Sequence, residues 1–507
     1  MNQKLYVGIT IGPIIETMSY TSTPAGLWTA SYFFSEITVS LYQKLNDNHY
    51  DVITVPKDVQ KYRMDGIGQF HDRIYAVVPD GITKDEAQKI VQESIHRVIE
   101  EKVQQLCNAI SDEKTATILE DCRKGLEAYL QIHYVVMEIG ENQVLAQILA
   151  GALDALENCQ SIVGNLTQNP LIRLVSGKRN NSNCYIKRYE PFKKATWFKG
   201  DNESIKDLET LFPGQNYFAI VQADGDGMGK IVNAELDNDE DAALDTQEKR
   251  IRMFSELCMN YTGEAARIIQ DYNGIVIYAG GDDLLFLAPV VNVKGENIWK
   301  LCQRIATKFN EIFDPGQNDK AKAIVQSDKI PSISFGVSIN HYKFPLYEAF
   351  EDGRNLLFGK AKSYGNKNNF AIALHKASGQ SSGYVCCMET RQKTNDTMFN
   401  KIIEYQDMIN KNDAADCNQM LHSMLYHIEN QKALYRIAVT DEQKRTKFFE
   451  NVFDSSMQKN YEGYINKVNE LAGNVLNAKA IIPLQDSDED VLTSILRTSK
   501  FLVEERG

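Results

Sequence analysis

The chain has 507 residues, 43% of them hydrophobic, and carries 68 acidic against 55 basic residues for a net charge of −13. That length predicts three or four domains, and the hydrophobic share suffices for packed cores. No apolar run approaches a membrane span, the start Met1-Asn-Gln-Lys4 leads straight into a strand pattern, and nine cysteines form no C-x-x-C pair, so a signal peptide, a membrane anchor and a disulfide framework are excluded in favour of a soluble, cytoplasmic protein with reduced thiols.

In chain order, Leu5 to Ile11 and Ile74 to Val78 read as strands, with a helix from about Ala25 to Leu45 between them. Thr83-x-x-Glu86 is a capping box opening a long helix with Ile90, Val91, Ile95, Val98, Ile99, Val103 and Leu106 on its inner face. Helical patterning continues from Leu119 to Leu156, predicting an α-rich middle region. A basic run follows, with Lys178, Arg179, Lys187, Arg188, Lys193, Lys194 and Lys199 interleaved by Tyr185, Tyr189, Phe192 and Trp197. It reads either as an RNA-contacting segment with base stacking or as a solvated interdomain stretch.

The chemistry is concentrated downstream. Tyr217-Phe-Ala-Ile-Val-Gln-Ala-Asp-Gly-Asp-Gly-Met-Gly-Lys230 is an apolar strand running into Asp224 and Asp226 in a glycine-rich bend. Gly225, Gly227 and Gly229 allow backbone N–H groups to approach phosphate oxygens, with Lys230 at the end of the bend. After the acidic loop Glu235-Leu-Asp-Asn-Asp-Glu-Asp241 comes a helix marked by Phe254, Leu257, Cys258, Tyr261, Ala265, Ile268 and Ile269. Ile275 to Tyr278 and Leu284 to Leu287 then flank Gly280-Gly281-Asp282-Asp283, which predicts a tight hairpin. Alone, such a tip is also compatible with an Asp-rich surface turn. With Asp224 ending an adjacent strand, three carboxylates converge and predict a two-metal site for phosphoryl transfer.

Ser332 to Asn340 alternates like a strand, and Pro345 is expected at the first position of a helix carrying Leu346, Ala349, Phe350, Leu356 and Leu357 on one side. Lys360, Lys362 and Lys367 lie where that helix finishes, before the strand Phe370 to Leu374. Lysines there can simply compensate the helix dipole, but beside a triphosphate site Lys362 is a candidate phosphate ligand. The order is β-α-β-β-α-β with an added strand, a ferredoxin-like arrangement.

Residues from about 215 to 379 resemble the palm domain shared by diguanylate cyclases and the large subunit of type III CRISPR–Cas effector complexes. Ala223-Asp-Gly-Asp-Gly-Met-Gly-Lys230, Gly280-Gly-Asp-Asp283 and Ala361-Lys362 with Lys367-Asn368 are closer to the CRISPR subunit. Asn366 is an extra residue in the last of these motifs and weakens the case for Lys367. At the N-terminus, Tyr6-Val-Gly-Ile-Thr-Ile-Gly-Pro-Ile14 and Leu27-Trp-Thr-Ala-Ser-Tyr-Phe-Phe-Ser35 resemble the opening of the Cmr (type III-B) version. Phe70 to Pro79 is placed like that family's first-palm hairpin, so the first palm is a metal-poor second copy of the fold.

The resemblance implies an α+β protein with two ferredoxin-like palm domains and helical middle and C-terminal domains. The expected boundaries are 1–110 for the divergent palm, 111–210 for a helical and linker region, 211–380 for the catalytic palm, and 381–507 for a helical domain. It implies an ATP-using nucleotidyltransferase with Asp224, Asp282 and Asp283 on magnesium (or manganese). Gly225, Asp226, Gly227, Gly229, Lys230, Gly280, Gly281, Lys362 and Lys367 would contact the nucleotide, and His71 and Asp72 the acceptor. The implied product is cyclic oligoadenylate, made when a complex with other Cmr-type subunits and guide RNA binds target RNA. The alternative acceptor is S-adenosylmethionine. A diguanylate-cyclase-like enzyme and a non-catalytic scaffold subunit are the other readings. The chain begins at the first palm, and His422 and His427 lie five apart rather than at ligand spacing, so no HD nuclease activity is expected. No structural zinc is expected either.

Overall fold

A computed structural model of the protein describes residues 3–111, 115–158, 169–176, 182–195, 197, 208–233, 243–326, 330–365, 367–388, 397–410, 414–451, 455–477, 481–483 and 491–504. The first palm comprises β1 (Gln3–Gly12), α1 (Ile14–Ser19), α2 (Pro24–Asp47), β2 (Asp51–Val52), β3 (Arg73–Val77), α3 (Lys84–Ile110), α4 (Ala116–Glu127), β4 (Gln131–Gly140) and α5 (Leu145–Glu157). Its antiparallel sheet has the order β2-β3-β1-β4, the ferredoxin-like arrangement.

Local sequence explains why α2 begins where it does. Thr23 accepts a hydrogen bond from the Gly26 N–H and Pro24 occupies the first turn. The helix is apolar almost all round, which marks a helix enclosed on every side. Trp28, Phe33, Phe34, Ile37 and Leu41 share one core with Ile275, Ile277, Leu285 and Leu287 of the second palm, so α2 is packed between the two halves. The predicted capping box is present: the Thr83 and Glu86 side chains each bond the other's backbone N–H, and α3 follows.

The expected helix across Leu119 to Leu156 is interrupted. Gln131–Gly140 is β4, paired with β1 along its whole length from Gln3↔Gly140 to Gly12↔Gln131. Ile132, Tyr134, Val135 and Val136 are β-branched or aromatic and favour a pleated surface, and pairing with β1 decides the outcome. The first palm therefore extends past residue 110.

The second palm comprises β5 (Tyr217–Asp226), α6 (Leu244–Asp271), β6 (Ile275–Gly280), β7 (Asp283–Pro289), α7 (Ile298–Phe313), β8 (Ser332–His341), α8 (Leu346–Arg354), β9 (Asn369–His375) and β10 (Ser381–Cys387). It continues into helices α9 (Met398–Asn410), α10 (Ala414–Asn430) and α11 (Ser455–Asn477), then β11 (Ile481–Pro483) and α12 (Val491–Glu504). Among the described residues its sheet has the order β11-β10-β9-β8-β5-β7-β6. The ferredoxin-like part is β8-β5-β7-β6, and its second helix is α7 rather than the helix after Pro345. Ile298, Leu301, Cys302, Ile305, Phe309 and Ile312 recur at three- and four-residue spacing and are buried, with Asn297 capping the first turn. Pro345 stands just before α8, at the cap position, rather than inside it.

The helix α8 continues as a π-helical segment, Asn355–Ala361, which brings the chain to Lys362. Gly336 on β8 allows this close approach, because a Cβ there would lie 2.4 Å from the Leu357 N and 2.5 Å from the Gly353 O. β9 then pairs parallel to β8 and antiparallel to β10, so the expected boundary at residue 380 falls inside a hairpin. Leu492, Ile495, Leu496 and Leu502 of α12 belong to the same core as the second palm. No helix among the described residues is long and apolar enough to cross a membrane.

Candidate active site

The Gly-Gly-Asp-Asp turn is a two-residue hairpin, with Gly280 opposite Asp283 and only Gly281 and Asp282 at the tip. The two glycines answer different demands. Gly281 has φ +65°, the left-handed backbone that a side chain disfavours. Gly280 instead makes room: a Cβ there would lie 2.5 Å from the Tyr278 hydroxyl oxygen and 2.7 Å from its Cζ.

Register supplies the third carboxylate. Ala223 pairs with Leu284, so Asp224 at the end of β5 stands beside Asp283. Ligand oxygens of Asp224, Asp282 and Asp283 all lie within 4.8 Å of one another, a spacing that hard cations bridge. Lys362 reaches the cluster from the end of the π-helical segment. Its Nζ pairs with the Asp224 Oδ1 and donates to the Gly225 carbonyl at 2.9 Å.

One ammonium does not balance three carboxylates. Asp282 is pushed up to about 7, first by burial and then by Asp224, against opposing contributions from Lys362 and the backbone N–H groups of Asp282 and Gly225. Burial first, then Asp282 and Asp224, raise Asp283 well above the carboxylate range. A carboxyl held up in the folded state binds protons more tightly folded than unfolded. Its stability cost therefore begins above about pH 4 and is complete only above the folded value, here about 7. Magnesium binding needs the ionised forms, so its affinity runs the opposite way. Thermal-shift titrations with magnesium at about pH 6, 7 and 8 are expected to show midpoints falling several-fold with rising pH. A midpoint independent of pH would contradict this electrostatic picture.

Asp226, expected at the nucleotide, is engaged by the protein through one oxygen, while its Oδ1 lies 3.8 Å from the Lys362 Nζ. It is 5% exposed, and its Oδ2 accepts from the Ser332 Oγ at 3.0 Å, the Ser334 Oγ at 2.7 Å and the Asn368 N–H at 2.9 Å. These bonds tie β5 to β8 and to the segment leading into β9. The period-two spacing of Ser332 and Ser334 puts both hydroxyls on one strand face, a signal present in the sequence. Asp226→Ala leaves several buried donors without an acceptor, so a loss of roughly 3 kcal/mol is expected in urea unfolding. An unchanged midpoint would show that the anchor is dispensable.

Gly225 has a further reason to lack a side chain, since a Cβ there would meet the Asp282 Oδ2 at 2.7 Å and the Met228 Cγ at 2.6 Å. The missing side chain accommodates a neighbouring carboxylate. Gly227 has φ +78° and caps the short helix Met228–Val232, which carries Gly229 and the exposed Lys230. Lys230 does not line the cleft described next. Lys367 is exposed; burial raises the Asp224 carboxyl above its ordinary range, and Lys362, with a smaller contribution from Lys367, partly offsets that. Asn366 lies outside the described residues.

Asp282 and Asp283 line a cleft of about 520 Å³ between the palms. His71 and Asp72, predicted from the first palm, line the same cleft with Tyr278, Phe254 and Phe350, and the His71 Cβ is 4.0 Å from where a Cβ on Gly281 would be. Asp72 is raised above its ordinary range by burial, partly offset by His71 and Arg73. The Arg73 guanidinium is itself engaged by Asp154 at 2.5 Å and Glu157 at 3.0 Å. His71 and Asp72 precede β3 rather than sitting at a hairpin tip.

Among the described residues of the basic run, the aromatic side chains pack inward. Tyr189 is 0% and Phe192 2% exposed, and the Phe192 ring lies edge-on to Trp28 at 5.6 Å. Tyr185 and Trp197 pack against the same core, and Lys194 faces Glu36 at 3.9 Å. Lys178, Arg179, Lys199 and the acidic loop 235–241 lie outside the described residues.

A sequence profile of the Cas10/Cmr2 second palm domain matches residues 217–371. Over 179 residues, 32% of the chain, the sequence is 31% identical to the CRISPR system Cmr subunit Cmr2 of Pyrococcus furiosus, and the match spans 19% of that protein. The fold is similar to a chain of the type III-B Cmr-beta complex in its apo state, with TM-score 0.59 and 11% identity, covering 99% of this chain and 82% of that one. It is equally similar to a chain of Cmr-beta bound to cognate target RNA, with TM-score 0.59 and 11% identity, covering 100% and 83%. A chain of the Csm1–Csm4 cassette in complex with pppApA gives TM-score 0.51 and 12% identity over 93% and 69%. Residues 217–371 thus match the Cas10/Cmr2 second palm domain, and the fold of the chain is similar to that of the Cmr-beta chains.

Proposed function

We propose that the chain is the nucleotidyltransferase subunit of a type III-B CRISPR complex, working with other Cmr-type subunits, guide RNA and target RNA to make a nucleotide messenger from ATP. The observation that carries this reading is the convergence of Asp224, Asp282 and Asp283 within 4.8 Å, with Lys362 at their side. Three carboxylates around one point suit magnesium or manganese, which when bound neutralise the phosphates and favour ionisation of an attacking hydroxyl. Lys362 holds Asp224 in place and offers a cation to the donor's phosphates. An acceptor hydroxyl oxygen bonds to the α-phosphorus of ATP, the bond from that phosphorus to the bridging oxygen breaks, pyrophosphate leaves, and the hydroxyl proton passes to solvent. The cassette with pppApA supports adenylate joining, and the product proposed is cyclic oligoadenylate.

A second reading is transfer of AMP to S-adenosylmethionine. Asp72 favours it: the acceptor wall presents a buried carboxylate among apolar side chains, while Arg73 is already paired. That wall suits a cationic acceptor better than a triphosphate.

The test incubates the assembled complex with ATP, magnesium and target RNA, with and without S-adenosylmethionine, and identifies products by mass spectrometry. Cyclic oligoadenylate supports the first reading and an adenylated sulfonium product the second. Activity of the isolated chain without RNA would favour a diguanylate-cyclase-like enzyme. Failure to bind magnesium and ATP would leave a scaffold subunit.

A further inference from the structure

Tyr278 points into the cleft for reasons written into the backbone. The β6–β7 register shifts between Val276 and Tyr278, a bulge of the kind that redirects a side chain next to an active site. Gly280, lacking a Cβ, leaves the space that the ring occupies over the turn, with the hydroxyl oxygen 2.5 Å from where that Cβ would be. On its other side the ring meets the first palm, where its Cδ2 is 3.6 Å from the Cβ position of Gly68. The residue lines the cleft together with Asp72, Asp282 and Asp283, the charges that act on its phenol. Among the described residues the phenol oxygen has no hydrogen-bond partner. A bulge and a glycine together thus maintain a hydroxyl beside Asp282, Asp283 and Asp72, with no partner for it among the described residues.

We infer that the Tyr278 hydroxyl is a substrate-contacting group that orients the acceptor. This rests on the nucleotidyltransferase reading and adds a specificity residue to it. A phenol is neutral near pH 7 and donates one hydrogen bond. Carboxylates around it disfavour a second anion, so the neutral O–H suits donation to an acceptor oxygen other than the attacking one. It transfers no proton. It fixes the acceptor so that its hydroxyl faces the donor's α-phosphorus.

The test compares the wild-type complex with Tyr278→Phe, which keeps the ring and removes the donor. At saturating magnesium-ATP and target RNA, initial rates are measured against increasing pppApA in one series and S-adenosylmethionine in another. Binding of α,β-methylene-ATP, a donor analogue that cannot react, is measured in parallel. The variant is expected to need about tenfold more of the acceptor that the wild type uses, with analogue binding unchanged, as loss of one hydrogen bond predicts. Gly280→Ala, which displaces the ring, is expected to share the acceptor defect, so the effect does not depend on one variant folding. Unchanged half-saturation in Tyr278→Phe, or equal weakening of analogue and acceptor, would overturn the inference while leaving transfer itself intact. Absence of any transfer by the wild type would bring down the underlying reading, and this inference with it.

Discussion

Replacing Asp282 and Asp283 together by alanine is expected to abolish nucleotide transfer, by at least about a thousandfold, while raising the melting temperature of the metal-free protein. Both effects have one cause. The two carboxylates are held above their ordinary range by burial and by each other, together with Asp224, so without a cation they oppose folding. Their removal relieves that repulsion and leaves Asp224 and Lys362 as a balanced pair. The stability gain should grow from about pH 5 to pH 8, because the cost appears only as the carboxyls ionise. Magnesium should no longer stabilise the variant. Product yield, together with melting curves with and without magnesium, checks both halves. Undiminished transfer would refute the assigned chemistry, and a lower melting temperature at pH 8 would refute the electrostatic account.

Gly225→Ala is expected to reduce transfer by roughly a hundredfold without removing any charged group. The new methyl would sit 2.7 Å from the Asp282 Oδ2 and 3.0 Å from its Cβ, so Asp282 has to turn away from Asp224. Met228 is flexible enough to give way, and the Gly225 carbonyl still accepts from Lys362. The loss should therefore appear as weaker magnesium affinity and lower kcat, with a melting temperature close to that of the parent. If Gly225 served only to admit phosphate to the backbone, the variant would lose ATP affinity and keep its magnesium response. Titrating each ligand separately distinguishes the two roles.

These variants also show where the sequence speaks and where it is silent. Asp224, Asp282 and Asp283 were recognisable because apolar strands led into them and the glycine pair demanded a short turn. Lys362 was visible through its motif. The spacing of Ser332 and Ser334 puts two hydroxyls on one strand face, but only the pairing of β5 with β8 brings the Asp226 carboxylate to them. Likewise Tyr189 and Phe192 resembled a stacking surface until packing against Trp28 buried them.

By itself the chain's order of residues determined the elements whose signals are local: the capping box at Thr83, the strands around the hairpin, and the turn that projects two aspartates. The tertiary structure decided what depends on partners far away in sequence. It turned Gln131–Gly140 into a strand by pairing it with β1, drew α7 into the second palm, and carried the sheet past residue 380. It also brought His71 and Asp72 of the first palm into the cleft that Asp282 and Asp283 line. Backbone propensity acts over a few residues, whereas strand pairing, burial and the meeting of charges are settled only when distant segments touch.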